Sequence, residues 1–365
     1  MLRLQKIALT QFKNYPLFEL GFDQQVVGIC GANGVGKTSL LDAIHYLGLT
    51  KSYFSRHDEQ VVQAGCQGFR IEGQLQLGQV RTEITCVLRE NGKKELAANG
   101  TIYDRLSAHI GKIPVVVIAP DDAVLITGES KERRAFIDQL LAQIDPDYLQ
   151  RLIRYNRHLL QRNALLKDPA VGTPANKALL DVIDEQLALE GQFIYESRTA
   201  FLSSFIPLVI DEYHAIGTTE HSPVRETISI SYQSHLQQAS LDTLLRSSRH
   251  ADLSAQRTTK GIHRDELIVT MLHQPFRQLA SQGQRKSLLF ALKLAQAEVI
   301  KQKKGFAPLL LLDDVFEKLD ENRIENLLRK VCADSGSQIF ITDTSADRLE
   351  RQMSKLGVPF QLVSL

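Results

Sequence analysis

Apolar positions along the chain recur in three rhythms, and each predicts a different kind of element. Over the first 120 residues the spacing is that of strands. Ile7-Ala8-Leu9-Thr10, Arg70-Ile71-Glu72-Gly73-Gln74-Leu75 and Thr82-Glu83-Ile84-Thr85-Cys86-Val87-Leu88 alternate or carry β-branched side chains, as half-buried strands do. Glu90-Asn91-Gly92-Lys93 is a hairpin-turn signal, since Asn-Gly tolerates the positive φ of a tight turn. Val26-Val27-Gly28-Ile29-Cys30 and Val115-Val116-Val117-Ile118 are continuously apolar instead, which predicts strands buried on both faces; Pro120 stops the second. From 130 to 216 the rhythm turns helical, with a break at 167–174, and a polar, weakly patterned stretch follows to 259. From Gly261 strand, helix and strand return. The simplest architecture is α/β: a domain built from both chain ends, 1–122 and 260–365, with a mainly helical arm domain, 123–259, inserted between them.

Composition narrows the class. A hydrophobic content of 43% and a charged content of 23% are ordinary for a globular protein. Net charge is +1, so an anionic partner has to be met by a local basic patch rather than by a global field. Met1-Leu2-Arg3-Leu4-Gln5-Lys6 has no signal-peptide core, and no apolar run approaches the ~18 residues of a membrane span, so no membrane role is expected. Cys30, Cys66, Cys86 and Cys332 are scattered without a Cys-x-x-Cys pair, which predicts reduced structural thiols and a cytoplasmic location.

The candidate chemistry begins directly after the first buried strand. Gly31-Ala32-Asn33-Gly34-Val35-Gly36-Lys37-Thr38 is a full Walker A phosphate loop, followed by the helical Ser39-Leu40-Leu41-Asp42-Ala43-Ile44. In that context backbone N–H groups cradle the phosphates of ATP, Lys37 neutralises β/γ charge, and the Thr38 hydroxyl serves Mg²⁺. Leu309-Leu310-Leu311-Leu312-Asp313-Asp314 has the form of a Walker B strand. Asp313 is the candidate metal residue, and Asp314, with Lys37, the candidate catalytic one, polarising the attacking water. Before an apolar helix, Ser281-Gln282-Gly283-Gln284 offers a capping serine and a glycine that permits close phosphate approach, so Ser281 and Gly283 join the candidate nucleotide site.

Walker A, a long insertion, a Ser-Gln-Gly-Gln signature and Walker B, in that order, resemble the ABC-type head of transporters, SMC proteins and their DNA-repair relatives. In that class two heads sandwich two nucleotides, and the signature of one caps the γ-phosphate held by the other. Glu317-Lys318-Leu319-Asp320 is similar to the loop that follows Walker B, while Asp343 stands where many such heads place a switch His. Lys37 and Ser281 lie 244 positions apart, too far for a transporter head and too near for an SMC coiled coil. Gln11-Phe12-Lys13-Asn14-Tyr15, Lys51-Ser52-Tyr53-Phe54, Ala119-Pro120-Asp121-Asp122, Lys131-Glu132-Arg133-Arg134, Arg162-Asn163-Ala164-Leu165-Leu166-Lys167 and Gly261-Ile262-His263-Arg264-Asp265 together resemble the RecF family.

The resemblance implies a weak, DNA-dependent ATPase that forms an ATP-dependent homodimer and binds duplex, gapped or junction DNA. It further implies action with RecO and RecR, and through them RecA, in repair and the SOS response. The residues themselves add one feature. Arg151, Arg154, His158 and Arg162 fall within about 80° of a helical wheel, opposite Leu149, Leu152, Ile153, Leu159 and Leu160. Such a cationic stripe makes Arg151, Arg154 and Arg162 candidate DNA-phosphate contacts; the alternative is a solvated face balanced by carboxylates. Two further readings are a nucleotide-gated assembly scaffold and an ABC-headed nuclease of the overcoming-lysogenization-defect type. The nuclease needs a further metal-binding domain, which the 51 residues after Asp314 do not suggest.

Overall fold

The computed structural model describes residues 1–217, 227–316 and 321–365, so the loop Glu317-Lys318-Leu319-Asp320 lies outside the described residues. By contacts the chain divides into two compact units. The first comprises Met1–Ala123, Asp211–Val224 and Ser281–Leu365; the second comprises Val124–Ile210 and Arg225–Ala280. Residues 260–280, expected in the head, cluster with the inserted unit, and residues 211–217, expected in the arm, cluster with the first.

The first unit is an α/β head with two sheets. Strands β1 (Leu2–Phe12), β2 (Tyr15–Gly21), β4 (Phe69–Leu77), β5 (Val80–Leu88), β6 (Lys94–Ala98) and β7 (Thr101–Ile102) form an antiparallel sheet in the order β2-β1-β4-β5-β6-β7. Its alternating burial follows the alternation in the sequence, and the Asn91-Gly92 turn joins β5 to β6 with Gly92 at φ +76°. The second sheet is parallel, in the order β14-β3-β13-β12-β8. It comprises β3 (Val26–Cys30), β8 (Val115–Ile118), β12 (Leu309–Leu312), β13 (Ile339–Asp343) and β14 (Phe360–Ser364). Every residue of β3, β8, β12 and β13 is buried, which is why β3, β8 and β12 read as apolar runs, while β13 ends in the buried polar pair Thr342 and Asp343. Helix α1 (Lys37–Leu49) lies in the core with both sheets, burying all but one of its residues. Helices α8 (Gln282–Lys304), α9 (Glu321–Arg329) and α10 (Ala346–Leu356) complete this unit.

The inserted unit is mainly helical: α2 (Val124–Thr127), α3 (Ser130–Ile144), α4 (Pro146–Leu166), α5 (Pro174–Gly217), α6 (Leu241–Ala255) and α7 (Phe276–Leu279), the last turns of α5 clustering with the head. It also holds a small antiparallel sheet, β11-β10-β9, from β9 (Ile228–Gln233), β10 (Glu266–Met271) and β11 (Gln274–Pro275). The stretch read as weakly patterned therefore contains both a strand and a helix. Helix α6 was masked by its composition: Ser240 caps it, but only Leu241, Leu244 and Leu245 mark its buried face among serines and charges. Among the described residues no helix is long and apolar enough to cross a membrane.

Candidate functional site

Strand β3 delivers the chain to Gly31, and α1 starts at Lys37, so the candidate phosphate loop spans a strand end and a helix start. Gly36 sits at φ +117°, and a Cβ there would stand 2.8 Å from the Tyr15 hydroxyl oxygen; only glycine fits. The turn between β1 and β2 clasps the same loop. Asn14 Nδ2 donates to the Gly34 carbonyl (2.9 Å), and the Tyr15 hydroxyl donates to the Gly36 carbonyl (3.1 Å). Burial pushes the Tyr15 phenol up to about 12, so it remains a neutral donor. Behind this turn, Lys13 pairs with the fully buried Asp42 of α1 (2.6 Å), which also accepts from Ser52 Oγ (2.6 Å) and the Tyr53 N–H (2.7 Å). The buried Lys37 ammonium donates to the carbonyls of Gly31 (2.9 Å) and Ala32 (3.1 Å), which hold it within the loop.

The Walker B strand brings its carboxylate to the same place. Thr38 Oγ1 donates to Asp313 at 3.0 Å and 3.1 Å from its two oxygens, and Thr342 Oγ1 donates to Asp313 Oδ1 at 2.7 Å. Burial pushes the Asp313 carboxyl up, opposed by the two threonine hydroxyls and by the Lys37 charge. Asp314 sits at φ +44°, and its N–H donates to Thr342 Oγ1 (2.9 Å), which fixes this uncommon backbone conformation at the strand end. Thr342 thereby joins both aspartates. A hydroxyl and a buried carboxylate converging at hydrogen-bond distance are hard oxygen donors, a set that fits Mg²⁺. The glycine-lined loop and its enclosed ammonium fit a polyphosphate.

Asp343, at the switch position, is buried and committed to structure. Arg348 grips it through Nε (2.7 Å to Oδ2) and Nη2 (2.5 Å to Oδ1), and the Ser345 N–H donates to Oδ1 (2.8 Å). The pair holds the end of β13 to the start of α10.

Ser281 is exposed and caps α8: its Oγ accepts from the Gln284 N–H (3.2 Å), and Gln284 Oε1 accepts from the Ser281 N–H (2.6 Å). Among the described residues no hydrogen bond joins Ser281 or Gly283 to the loop 31–38. The helix itself is tied into the head. Lys293, buried on α8, donates to the Tyr53 hydroxyl (2.9 Å) and pairs with Asp122 (3.1 Å), which also accepts from Tyr53. Lys13, Asp42, Ser52, Tyr53, Asp122 and Lys293 thus link the loop's clasp to the signature helix in one hydrogen-bonded series.

The cationic stripe of α4 requires correction. Arg162 is completely buried: its Nε donates to Asp184 (2.5 Å) and its Nη1 to Asp252 (2.7 Å) and the Thr258 hydroxyl (2.9 Å). A side chain so enclosed does not reach DNA. Arg154 pairs with Glu190 of α5 (2.5 Å), and Arg151 with Asp147 (3.2 Å) and Glu190 (3.5 Å). Meanwhile Leu160, on the face expected inside, is 71% exposed. Arg162 packs inward because its partners are carboxylates, whereas the side chains of Arg151 and Arg154 remain 27% and 42% exposed.

Asn14, Tyr15 and Thr342 are site residues that spacing alone did not reveal. Asn14 and Tyr15 act from a turn 20 and 21 positions before their loop partners, and Thr342 from a strand end 28 and 29 positions after the two aspartates.

Three comparisons align with this geometry. The family model described as the RecF/RecN/SMC N terminal domain matches residues 3–362. The DNA replication and repair protein RecF of Flavobacterium johnsoniae is 38% identical over 364 residues, covering 100% of both chains. The RecF of Bacteroides fragilis is 39% identical over 360 residues, covering 98% of this chain and 95% of its own. A solved structure of the recombination mediator protein RecF with ATP, in the RecFOR pathway, is 28% identical with a TM-score of 0.85, covering 94% of this chain and 92% of that one. The Smc head domain from Pyrococcus furiosus, 16% identical, covers 96% of this chain and 92% of its own; its TM-score of 0.53 speaks for the fold alone.

Proposed function

The chain belongs to the RecF family, and on that premise we propose that it is an ATP-dependent DNA-binding protein of recombinational repair. The observation that carries the proposal is the convergence of Lys37, Thr38 and Asp313 on one glycine-lined loop, at distances set by two strand ends and a helix start. ATP is the nucleotide, as it is for the RecF protein solved with ATP. Binding replaces the two carbonyl contacts of Lys37 by phosphate oxygens, which are stronger, charge-assisted acceptors. Thr38 and Asp313 would hold Mg²⁺, which supplies charge neutralisation on the phosphates. Asp314, whose N–H is anchored to Thr342, orients the attacking water on this reading. Aspartate is one methylene shorter than the glutamate common in ABC heads, and a slow turnover that serves as a switch follows from that shorter reach.

The exposed Ser281 and the open start of α8 act in trans, on the γ-phosphate held by a second copy, so that ATP closes a homodimer. The closed dimer binds duplex, gapped or junction DNA and works with RecO and RecR to assist RecA loading. This is a soluble, cytoplasmic task. The experiment is a gel shift on a gapped duplex with and without ATP and Mg²⁺, run beside sedimentation. Binding that strengthens with ATP as dimers appear is the expected result. ATP-dependent dimers with no DNA shift at any protein concentration overturn the DNA assignment in favour of an assembly scaffold.

A further inference from the structure

The inserted unit contains two kinds of arginine. Arg162 and Arg198 are buried, and each is bonded to two carboxylates: Asp184 and Asp252 for the first, Asp138 and Asp265 for the second. That is how a buried guanidinium is normally stabilised. Arg133 and Arg134 are half-buried on α3, and among the described residues neither has an ion-pair partner. Arg133 Nη1 donates to the Gly128 carbonyl (3.0 Å), while its Nε is buried with no hydrogen bond. Arg134 Nη1 donates to the Asp265 carbonyl (2.6 Å). Backbone oxygens, with the Ser130 hydroxyl at Arg133, thus orient both forks without neutralising them.

These two side chains line a cavity of about 540 Å³, formed within this unit by α2, the start of α3, β10 and α7. Lys131, Arg264 and Arg277 extend its cationic wall, against only two carboxylates among the described residues, Glu129 and Glu266. No side chain caps the first turn of α3, so the positive end of that helix adds to the field. Apart from Ser130, the remaining lining residues are apolar, among them Leu125, Ile126 and Leu267.

We propose that this cavity receives an acidic segment of a protein partner that seats one aliphatic side chain on the apolar floor while its carboxylates meet Arg133 and Arg134. The volume is that of a pocket for a few side chains, not of a duplex. An aliphatic floor offers nothing to a phosphate, and among the described lining residues no exposed aromatic face is present to stack a base, the usual device for single strands. A carboxylate-bearing segment matches both halves: bidentate pairing to the forks and burial of the anchor.

The test is fluorescence anisotropy of the full chain with a fluorescein-labelled Glu-Asp-Asp-Leu-Leu peptide. Saturable binding is expected. Affinity should fall about tenfold when the acidic residues become amides, or the leucines serines, and by a similar factor in a Lys131→Glu/Arg264→Glu variant, as losing charge-assisted bonds predicts. Both positions are exposed, so the variant's melting curve and ATP affinity should match the parent's. No saturable binding, or binding indifferent to these changes, overturns the proposal. It is equally overturned if oligothymidylate displaces the peptide and itself loses affinity in the variant, because the cavity is then a nucleic-acid site.

Discussion

At the scale of single residues, the buried Lys37 ammonium is held by two carbonyls of its own loop, contacts that phosphate oxygens would replace. Lys37→Ala should therefore cost at least about a hundredfold in ATP affinity by calorimetry, roughly the worth of a charge-assisted contact in an enclosed site. Affinity within a few-fold of the parent would remove the loop from the nucleotide site. Asp314→Asn should slow single-turnover hydrolysis while leaving ATP binding in place, since its backbone anchor to Thr342 survives the change. Histidine supplies a separate, pH-dependent effect. Burial pushes His45 and His263 down to about 4, below the ordinary value near 6.5, so both are neutral in the folded chain. His263 is hydrogen-bonded to Tyr155 (2.8 Å) and the Thr258 carbonyl (3.1 Å), and burial lowers it although the carbonyl opposes the shift. Their stabilisation is complete above pH 6.5 and is lost as pH falls toward 4, at about 1.4 kcal/mol per pH unit for each imidazole. The melting temperature should fall across that window, and a double variant with glutamine at both positions should flatten the slope.

At the scale of elements, the difference between what could be read and what could not follows the range of the interactions involved. The phosphate loop and the Walker B strand were legible because each is a contiguous run whose neighbours, β3, α1 and β12, are themselves local in sequence. The hairpin over Asn91-Gly92 was legible for the same reason. Helix α4 shows the opposite case. A helical wheel detects amphipathicity, but it assumes that the buried side is the apolar one. Arg162 meets Asp184, 22 positions on, and Asp252, 90 positions on, and no periodicity carries that information. The expected consequence distinguishes the two roles. Arg162→Ala leaves the buried Asp252 without a cation, while Asp184 keeps Arg249, and should destabilise the fold by about 3 kcal/mol. The logarithmic salt slope of duplex binding should stay unchanged at a temperature where the variant is folded. A slope lowered by roughly 0.9 would instead assign this side chain to a phosphate.

At the scale of the whole molecule, the proposed trans action of Ser281 turns on two places in the head that no described hydrogen bond joins. The loop 31–38 gathers Lys37, Thr38 and Asp313, whereas Ser281 caps its own helix and presents an exposed hydroxyl with no described hydrogen bond to that loop. If both serve one nucleotide, a second copy has to supply the missing half, and the two-fold repeat of that arrangement places two nucleotides in one isologous interface. Ser281→Arg tests this without disturbing the monomer, because the side chain is exposed and the helix start tolerates the loss of one cap at a cost of about 1 kcal/mol. ATP affinity of the monomer should be retained, since none of the loop's contacts changes. Dimers seen by sedimentation with ATP should disappear, because a bulky cation fills the gap meant for a hydroxyl against the partner's phosphate. The ATP-stimulated part of DNA binding should disappear with them. If dimers form normally in this variant, the signature does not act in trans, and the closing contact has to be sought elsewhere on the head. If dimers are lost but ATP-stimulated DNA binding persists, the DNA-bound species is a monomer, and the nucleotide acts within one chain through the Lys13–Asp42–Tyr53–Asp122–Lys293 series that already joins the loop's clasp to the signature helix.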